Sequence, residues 1–571
     1  MSSKRKKSKV SKEELASKHT KITQLAKIAW IQTMQEFYFP PLNEPNYVFD
    51  FTHLEGFYID PENQWQITMN LANTPLFKED QEYVDYFYTI SLHEVSHYQI
   101  IPFDGLINAK LLRAAMENVN QNYAPIIVNI FADLVIDTLL FKKYPELMKW
   151  EIKTTYKHIK SREKMSDFTK FLFRTYEKMW DLDLLNDDGL IKMDSLSNLV
   201  SKVILKDFED DSTWEKKVSK ISRILHGLID NTFALIGKNG IVDNGSEKRK
   251  SPGGAFIEVP KDVLEVMDNP LECKNSDKLK EGNEDELKQK AEEFAKDIPY
   301  SEFGGPARQA GILIDGEPLA TWYRGLAKNL IEIKIFEEKP GGHLPVYPEV
   351  WRIGDRIEDL DIVQTLLNSP VIIPNLTTRK WTLEEGPGHL EEKQLPDLLI
   401  VLDSSGSMGW NYTSRIERGR GPYHIALIAA FAALHYAANK GAKFSIINFS
   451  NRADICQWTS DFKKAERVLL KYQGGGTVLP IDEIARQCDK AERKSLIFII
   501  TDFGIYNWSK AKKKMIDLTL KGHKIVGFFI GSSKIPAQKF KNLLDKVTFY
   551  GIRNAKDLID LVITEVKKYY L

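Results

Sequence analysis

Cysteine is scarce in this 571-residue chain. Cys273, Cys456 and Cys488 are odd in number, far apart and without metal-type spacing. They give no disulfide framework, and a reducing, cytoplasmic setting is expected. Neither sign of charge is in excess: 79 Lys and Arg stand against 79 Asp and Glu. With a formal net charge of zero, no global field draws the chain to nucleic acid or to a membrane, so neither partner is expected. Long apolar runs are missing too. The longest, 425–438, is too short to span a bilayer and contains His435, so it reads as a helix buried against a sheet. Lys4-Arg5-Lys6-Lys7 has no apolar segment behind it, so residues 1–19 read as a solvated basic tail and not as a signal peptide. No Gly-x-x-x-x-Gly-Lys-Ser/Thr loop occurs, and the chain itself is not expected to hydrolyse ATP.

What remains is ordinary globular material: 43% hydrophobic and 28% charged residues. The length suggests two to four domains, each able to bury a sizeable core. Residues 20–145 read as an α+β domain. A helix over 13–37 leads to three short strands at 47–51, 56–60 and 64–70, expected to form a mostly antiparallel sheet. A helix over 82–100 is stopped by Pro102 and Gly105, and helical periodicity resumes over 105–144. Residues 146–237 read as a helical region, with helices at 165–180 and 214–236. Residues 238–300 turn polar and charged around Ser251-Pro252-Gly253-Gly254 and read as a flexible linker between two halves, with a Lys/Glu/Asp run at 277–296 that is either a solvent-exposed helix or a disordered tether. Residues 301–394, with Trp322, Tyr323 and Trp351, read as a packing segment without a catalytic constellation. From 395 to 571 strands and amphipathic helices alternate. The strands fall at 443–450, 453–458 (a short edge), 523–531 and 546–551, beside the buried runs at 398–402 and 497–502. This alternation predicts an α/β, largely parallel, doubly wound sheet.

The most informative stretch is Asp403-Ser404-Ser405-Gly406-Ser407, directly after the apolar strand Leu398-Leu399-Ile400-Val401-Leu402. A carboxylate and two hydroxyls in one tight turn suit a small hard cation such as Mg²⁺. Parallel-sheet geometry puts that turn in the crevice beyond the strands' carboxyl ends. Gly474-Gly475-Gly476-Thr477 delivers a further hydroxyl on a loop whose glycines permit close approach. Ile497-Phe498-Ile499-Ile500-Thr501-Asp502 is a second buried strand ending in a carboxylate. With these pieces, residues 395–571 resemble the von Willebrand factor A (VWA) family, a Rossmann-like fold. The resemblance implies a metal-ion-dependent adhesion site at Asp403, Ser405, Ser407, Thr477 and Asp502, holding Mg²⁺. One coordination position would stay open for an acidic side chain of a protein client. The loop 410–421, with Arg415, Arg418 and Arg420, is longer than a tight strand-to-helix link needs and reads either as a flexible surface loop or as a rim that selects acidic partners.

A second chemistry lies at His93-Glu94-Val95-Ser96-His97. Residues four apart share a helix face, so both histidines can grip one Zn²⁺ while Glu94, beside the metal, serves as general base. With 11 histidines, chance would produce this pattern in about one or two such chains per hundred. Asn129, Asp133 and Asp137 line one face of the next apolar helix. Acidic residues there are costly unless paired or coordinating. Asp133 is the expected third zinc ligand, and Asp137 or Asn129 the group that holds a histidine's far nitrogen. His53 is expected to be structural. Residues 20–145 thus resemble a zincin-like metallopeptidase domain that precedes VWA-like domains in some bacterial and archaeal proteins.

Two functions of different class follow. Intracellular VWA proteins of this build resemble partners of MoxR-type AAA+ ATPases, which implies an adaptor or co-chaperone linking such a motor to a client. The alternative is an active zinc metallopeptidase with Glu94 as base. A chelatase-type subunit is a third reading, without any tetrapyrrole site to mark it.

Overall fold

The computed structural model describes residues 12–52, 56–60, 66–102, 104–162, 164–183, 188–237, 240–267, 269–271, 284–313, 317–337, 344–384, 396–411, 421–502, 504–530, 543, 546–552 and 555–570. They form two compact units, the first spanning Met1–Gly325 and the second drawn from the residues after it. The basic tail Lys4-Arg5-Lys6-Lys7, His53 and the arginines of the 410–421 loop fall outside the described residues.

In the first unit, α1 (Lys12–Glu36) packs along α2 (Asp80–Gln99). Against them lies a three-stranded sheet of β1 (Asn46–Val48), β2 (Phe57–Asp60) and β3 (Gln66–Asn70), in the order β1-β3-β2. Strands β2 and β3 are antiparallel, but β1 runs parallel to β3, with Asn46 opposite Thr68. This departs from the mostly antiparallel expectation. Ile67 and Met69 are buried against Trp30 and Phe87, which draws β3 to the centre and leaves β1 to pair with it rather than with its neighbour in sequence. Helix α2 starts in a reciprocal cap: the Glu82 carboxylate accepts from the Glu79 backbone N–H at 3.0 Å.

The stretch expected to be helical over 105–144 is two helices, α3 (Gly105–Met116) and α4 (Ala124–Lys143). Pro125, which lacks an N–H, sits in the first turn of α4, where that donor would be unpaired anyway. Helix α4 is long and apolar enough to cross a membrane, yet 89% of its most apolar window is buried inside the protein. It is the core helix of this unit. Helices α2, α3, α5 (Pro145–Arg162) and α8 (Trp214–Thr232) pack on it, and α6 (Asp167–Met179) and α7 (Asp194–Leu205) complete the helical layer.

The described residues of 238–300 form regular elements where a flexible linker was expected, and the charged run has a helix over its described part; residues 272–283 lie outside the described residues. Strands β4 (Ala234–Ile236), β5 (Ser246–Lys250) and β6 (Phe256–Pro260) make an antiparallel sheet in the order β4-β6-β5. Alternate residues Ile257 and Val259 point inward and are fully buried. The short helix α9 (Lys261–Met267) follows, and α10 (Glu284–Ala295) buries Ala291, Phe294 and Ala295 beneath its charged face. Composition is polar there, but the apolar minority is correctly phased to pack. Helices α11 (Tyr300–Gln309) and α12 (Pro318–Glu337) come next. Trp322 and Tyr323 are fully buried on α12, and the Trp322 indole N–H donates to the Ile298 carbonyl.

The second unit carries a β-hairpin, β7 (Leu344–Val350) with β8 (Arg379–Glu384), around the short helix α13 (Ile362–Asn368). Its main sheet comprises β9 (Asp397–Asp403), β10 (Phe444–Phe449), β11 (Ala453–Thr459), β12 (Ser495–Thr501), β13 (Lys524–Ile530) and β14 (Thr548–Ile552). The order is β11-β10-β9-β12-β13-β14, parallel except for the antiparallel edge β11. This agrees with the expected mostly parallel α/β sheet. Every residue of β9, β10 and β12 is buried, as in a sheet covered on both faces. On one face Leu399, Val401 and Ile499 pack with Ile484 of α16 (Ile481–Lys490) and Met515 of α17 (Trp508–Leu520). Helix α14 (Pro422–Asn439), which holds the apolar run 425–438, packs on β9, β10 and α18 (Ala555–Tyr570), and α15 (Phe462–Leu469) lies against β10. The chain builds outward from β9 to β11, then returns to β12 and builds the other way. The loops after β9 and β12 therefore share the crevice at the reversal.

Candidate metal centres

In the first unit, the turn of α2 that carries His93 and His97 faces Asp133 on α4. The two Nε2 atoms are 3.1 Å apart. Asp133 Oδ1 lies 3.1 Å from Nε2 of His97 and 3.6 Å from that of His93. The three ligand atoms all fall within 4.8 Å of one another. Asp133 is 5% exposed, and its Oδ1 faces the two histidine rings, with no other hydrogen-bond partner among the described residues. A buried carboxylate oxygen is costly unless a hydrogen-bond donor or a cation satisfies it.

The groups behind these atoms fix their orientation. His97 Nδ1 donates to the carbonyl of Ile101 at 3.0 Å, and a carbonyl can only accept, so Nε2 presents its lone pair inward. His93 Nδ1 is 2.7 Å from Asp137 Oδ1, and Asp137 Oδ2 accepts from the Tyr176 hydroxyl at 2.5 Å. Asn129 donates to Asp133 Oδ2 at 3.3 Å and to the Met267 carbonyl at 3.4 Å. Of the two alternatives left open by spacing, Asp137 holds the far nitrogen of a histidine, while Asn129 steadies Asp133. Burial opposes a charge on His93, but Asp137 and Asp133 outweigh it and raise its pKa to about 10. Burial likewise pushes the Asp133 carboxyl up, and its pairing with His93 and His97 brings it below the usual carboxylate range. Two ring nitrogens and one carboxylate oxygen, each oriented from behind and close to one another, could hold a metal ion.

The cluster opens on a cavity of about 130 Å³. Glu94, 6% exposed, lines it next to the histidines. Glu151 on α5 also lines it and is a residue that sequence spacing missed. Burial pushes its carboxyl up to about 7, opposed by the Thr155 hydroxyl, which donates to Oε1 at 2.5 Å. The signal available was Glu151 and Thr155, four apart on one face of a helix. Tyr176, the support of Asp137, comes from α6 and carries no local pattern at all.

In the second unit, Asp403 closes β9. Its Oδ1 accepts from the Ser405 backbone N–H at 2.8 Å, and its Oδ2 accepts from the Thr501 hydroxyl at 2.5 Å. The Ser405 and Ser407 hydroxyls are 3.2 Å apart. The glycine loop is laced to this turn: Gly474 N–H donates to the Ser404 carbonyl and Gly406 N–H to the Gly475 carbonyl, each at 2.9 Å. Tyr472 donates its hydroxyl to the Ser405 carbonyl at 3.1 Å. Asp502 Oδ1 and the Thr477 hydroxyl are neighbours beside Gly504: a methyl placed on that glycine would lie 3.6 and 3.7 Å from them. Burial raises the Asp403 carboxyl above its usual value, the Thr501 and Ser405 bonds oppose this, and the nearby Asp502 charge adds to the rise. Two mutually repelling carboxylates among neutral hydroxyls are a donor set that a small hard cation would neutralise. Thr501, in register with the end of β9, was not anticipated from the motif.

No family model matches this chain, and no curated protein matches it. Among solved structures, a mutant of the PilB minor pilin from Streptococcus sanguinis is similar over 34% of this chain, at 12% identity and a TM-score of 0.25. The match spans 64% of the pilin's own length, less than two thirds.

Proposed function

We propose that the first unit is a zinc-type hydrolytic centre that cleaves peptide bonds. The single observation that carries this reading is the convergence of the His93 and His97 Nε2 atoms on the buried Oδ1 of Asp133, beside Glu94 in one cavity. His93, His97 and Asp133 would hold the ion, which would supply Lewis acidity toward water and a carbonyl. The chain's own residues do the rest. Asp137 and the Ile101 carbonyl keep the imidazoles turned, Asn129 keeps Asp133 turned, and Tyr176 fixes Asp137. Glu94 accepts a proton from the attacking water at its carboxylate and returns it to the departing amine.

The test is zinc content and peptide hydrolysis of Glu94→Gln. Zinc should be retained and hydrolysis should fall by about a hundredfold or more. Hydrolysis that persists in the zinc-loaded variant would overturn the reading.

The second unit is proposed to be a VWA-type, doubly wound docking module whose Asp403, Ser405, Ser407, Thr477 and Asp502 hold Mg²⁺ and capture an acidic side chain of a client. The strand order with its reversal at β9 and the paired Ser405 and Ser407 hydroxyls beside Asp403 support this. On this reading the chain is an adaptor for a MoxR-type AAA+ ATPase. Mg²⁺ titration of the wild type and of Thr477→Val, followed by Mg²⁺-dependent co-elution with such an ATPase, tests it. Equal Mg²⁺ binding by both forms, or co-elution indifferent to Mg²⁺, counts against it.

A further inference from the structure

Helix α13 lies on the hairpin of β7 and β8 with its polar side down. Asp361 caps the helix by accepting from the Gln364 backbone N–H at 2.9 Å, and its other carboxylate oxygen accepts from the Trp381 indole at 2.8 Å. The Arg379 backbone N–H donates to the Thr365 hydroxyl at 2.9 Å, and the Asp361 N–H donates to the Arg379 carbonyl at 2.8 Å. Thr365 is buried under the helix, while Ile362, Val363, Leu366 and Leu367 share the other side and are exposed. A surface helix ordinarily turns its apolar stripe to the core. Here polar bonds on both sides of α13 hold the reverse arrangement in place.

The rest of the hairpin has the same character. Among the described side chains of 348–381, those buried are Trp351, Thr365 and Thr378. The main packing contacts of β7, β8 and α13 are with one another. A two-stranded module of about forty residues with so small a core is marginal unless something covers it. Between 353 and 376, ten Ile, Leu and Val residues are each at least 44% exposed. Together they offer on the order of 1,000 Å², above the few hundred Å² that monomers leave bare and close to the ~800 Å² that each partner gives to a standard interface.

We infer that two copies of this chain pair through this face about a twofold axis, independently of both proposed metal centres. The patch is wholly aliphatic, the character of a permanent interface that resembles a core cut in half; transient interfaces are no more apolar than the rest of a surface. The charges agree with a second copy. From Ile357 to Thr378 there are three acids, Glu358, Asp359 and Asp361, and no Lys or Arg, so an anionic bilayer would be repelled. Arg352, Arg356, Arg379 and Lys380 flank the same stretch. In a twofold pair each surface meets its own image, so the acids of one copy can face the arginines of the other. The net charge of zero leaves no general repulsion between copies.

The experiment is sedimentation velocity of the full chain over about 0.1–100 μM. The wild type should sediment as twice the 65.6 kDa of one chain in the micromolar range and dissociate on dilution. The Leu366→Ala, Leu367→Ala double variant introduces a better helix former, so α13 persists, and it should weaken the dimer by about a hundredfold. Leu520→Ala, which trims a 70%-exposed leucine of α17, should leave it intact. Amide exchange over 362–376 should quicken when the wild type is diluted, while exchange in β9 and β12 stays constant. A wild type that is monomeric at every concentration would overturn the inference. So would a dimer indifferent to the double variant, or one weakened equally by Leu520→Ala. A monomer that sediments with phosphatidylserine vesicles would overturn it too, and would assign the face to a membrane.

Discussion

His93 and Asp137 sit on different helices, yet their Nδ1 and Oδ1 atoms are 2.7 Å apart, and the second carboxylate oxygen of Asp137 is capped by Tyr176. The carboxylate fixes the imidazole ring and makes Nε2 a better donor to a cation. Asp137→Asn keeps the shape and removes the charge. It is expected to weaken zinc binding by about 10- to 100-fold, measured by competition with a chromogenic chelator. Tyr176→Phe removes only the hydroxyl and should do less. An unchanged zinc affinity in Asp137→Asn would mean that the ring is held without the carboxylate.

In the second unit the comparable support is Thr501, whose hydroxyl donates to Oδ2 of the fully buried Asp403. Thr501→Val is nearly isosteric and leaves that oxygen without its donor. The expected loss of stability is about 1–3 kcal/mol by urea unfolding at neutral pH. A change well under that would show that the oxygen finds another donor.

His424, on α14, is 6% exposed, and burial lowers its pKa from 6.5 to about 4. The unfolded chain therefore binds a proton between those values while the folded chain does not. Stability from keeping this ring neutral is complete above pH ~6.5 and is lost as pH falls toward 4, with a slope of about 1.4 kcal/mol per unit and a total of about 3 kcal/mol. Unfolding of the wild type and of His424→Gln across this window should converge as pH falls. Parallel pH curves for the two proteins would refute the assignment.

Sequence spacing reached the parts of each centre that lie on one strand or one helix face. His93 with His97, and Asn129 with Asp133 and Asp137, repeat every four residues, and the structure brings these two faces together. Residues that brace a cluster from elsewhere left no such trace: Tyr176 from α6 and Thr501 from the strand beside β9. Their roles exist only once the helices pack. The fold divides in the same way. The buried strands β9 and β12 announce themselves as apolar runs, because a strand covered on both faces favours apolar residues at consecutive positions. The hairpin of β5 and β6 needs only Ile257 and Val259 inward, so its polar majority read as a linker. The parallel pairing of β1 with β3 skips a strand, and no local pattern encodes it.

Two glycines separate backbone strain from simple loss of entropy. Gly475 has φ of +92°, and its carbonyl accepts from Gly406 across the proposed Mg²⁺ site. A methyl there would lie 3.4 Å from Asn451 Oδ1, close but tolerable, so the penalty of Gly475→Ala is set by the backbone. It should be about 1–2 kcal/mol of stability. Because the strain falls on the loop that delivers Thr477, Mg²⁺ affinity should drop with it, by about tenfold for each 1.4 kcal/mol taken up on binding. Gly227, inside α8, has no positive φ, and a methyl added to it would meet no neighbouring atom within 4 Å. Gly227→Ala should therefore stabilise the first unit by about 0.5–1 kcal/mol and leave Mg²⁺ binding untouched. Urea unfolding and Mg²⁺ titration of both variants decide the matter. If Gly475→Ala is destabilised yet binds Mg²⁺ as the wild type does, the glycine loop shapes the fold and takes no part in holding the cation.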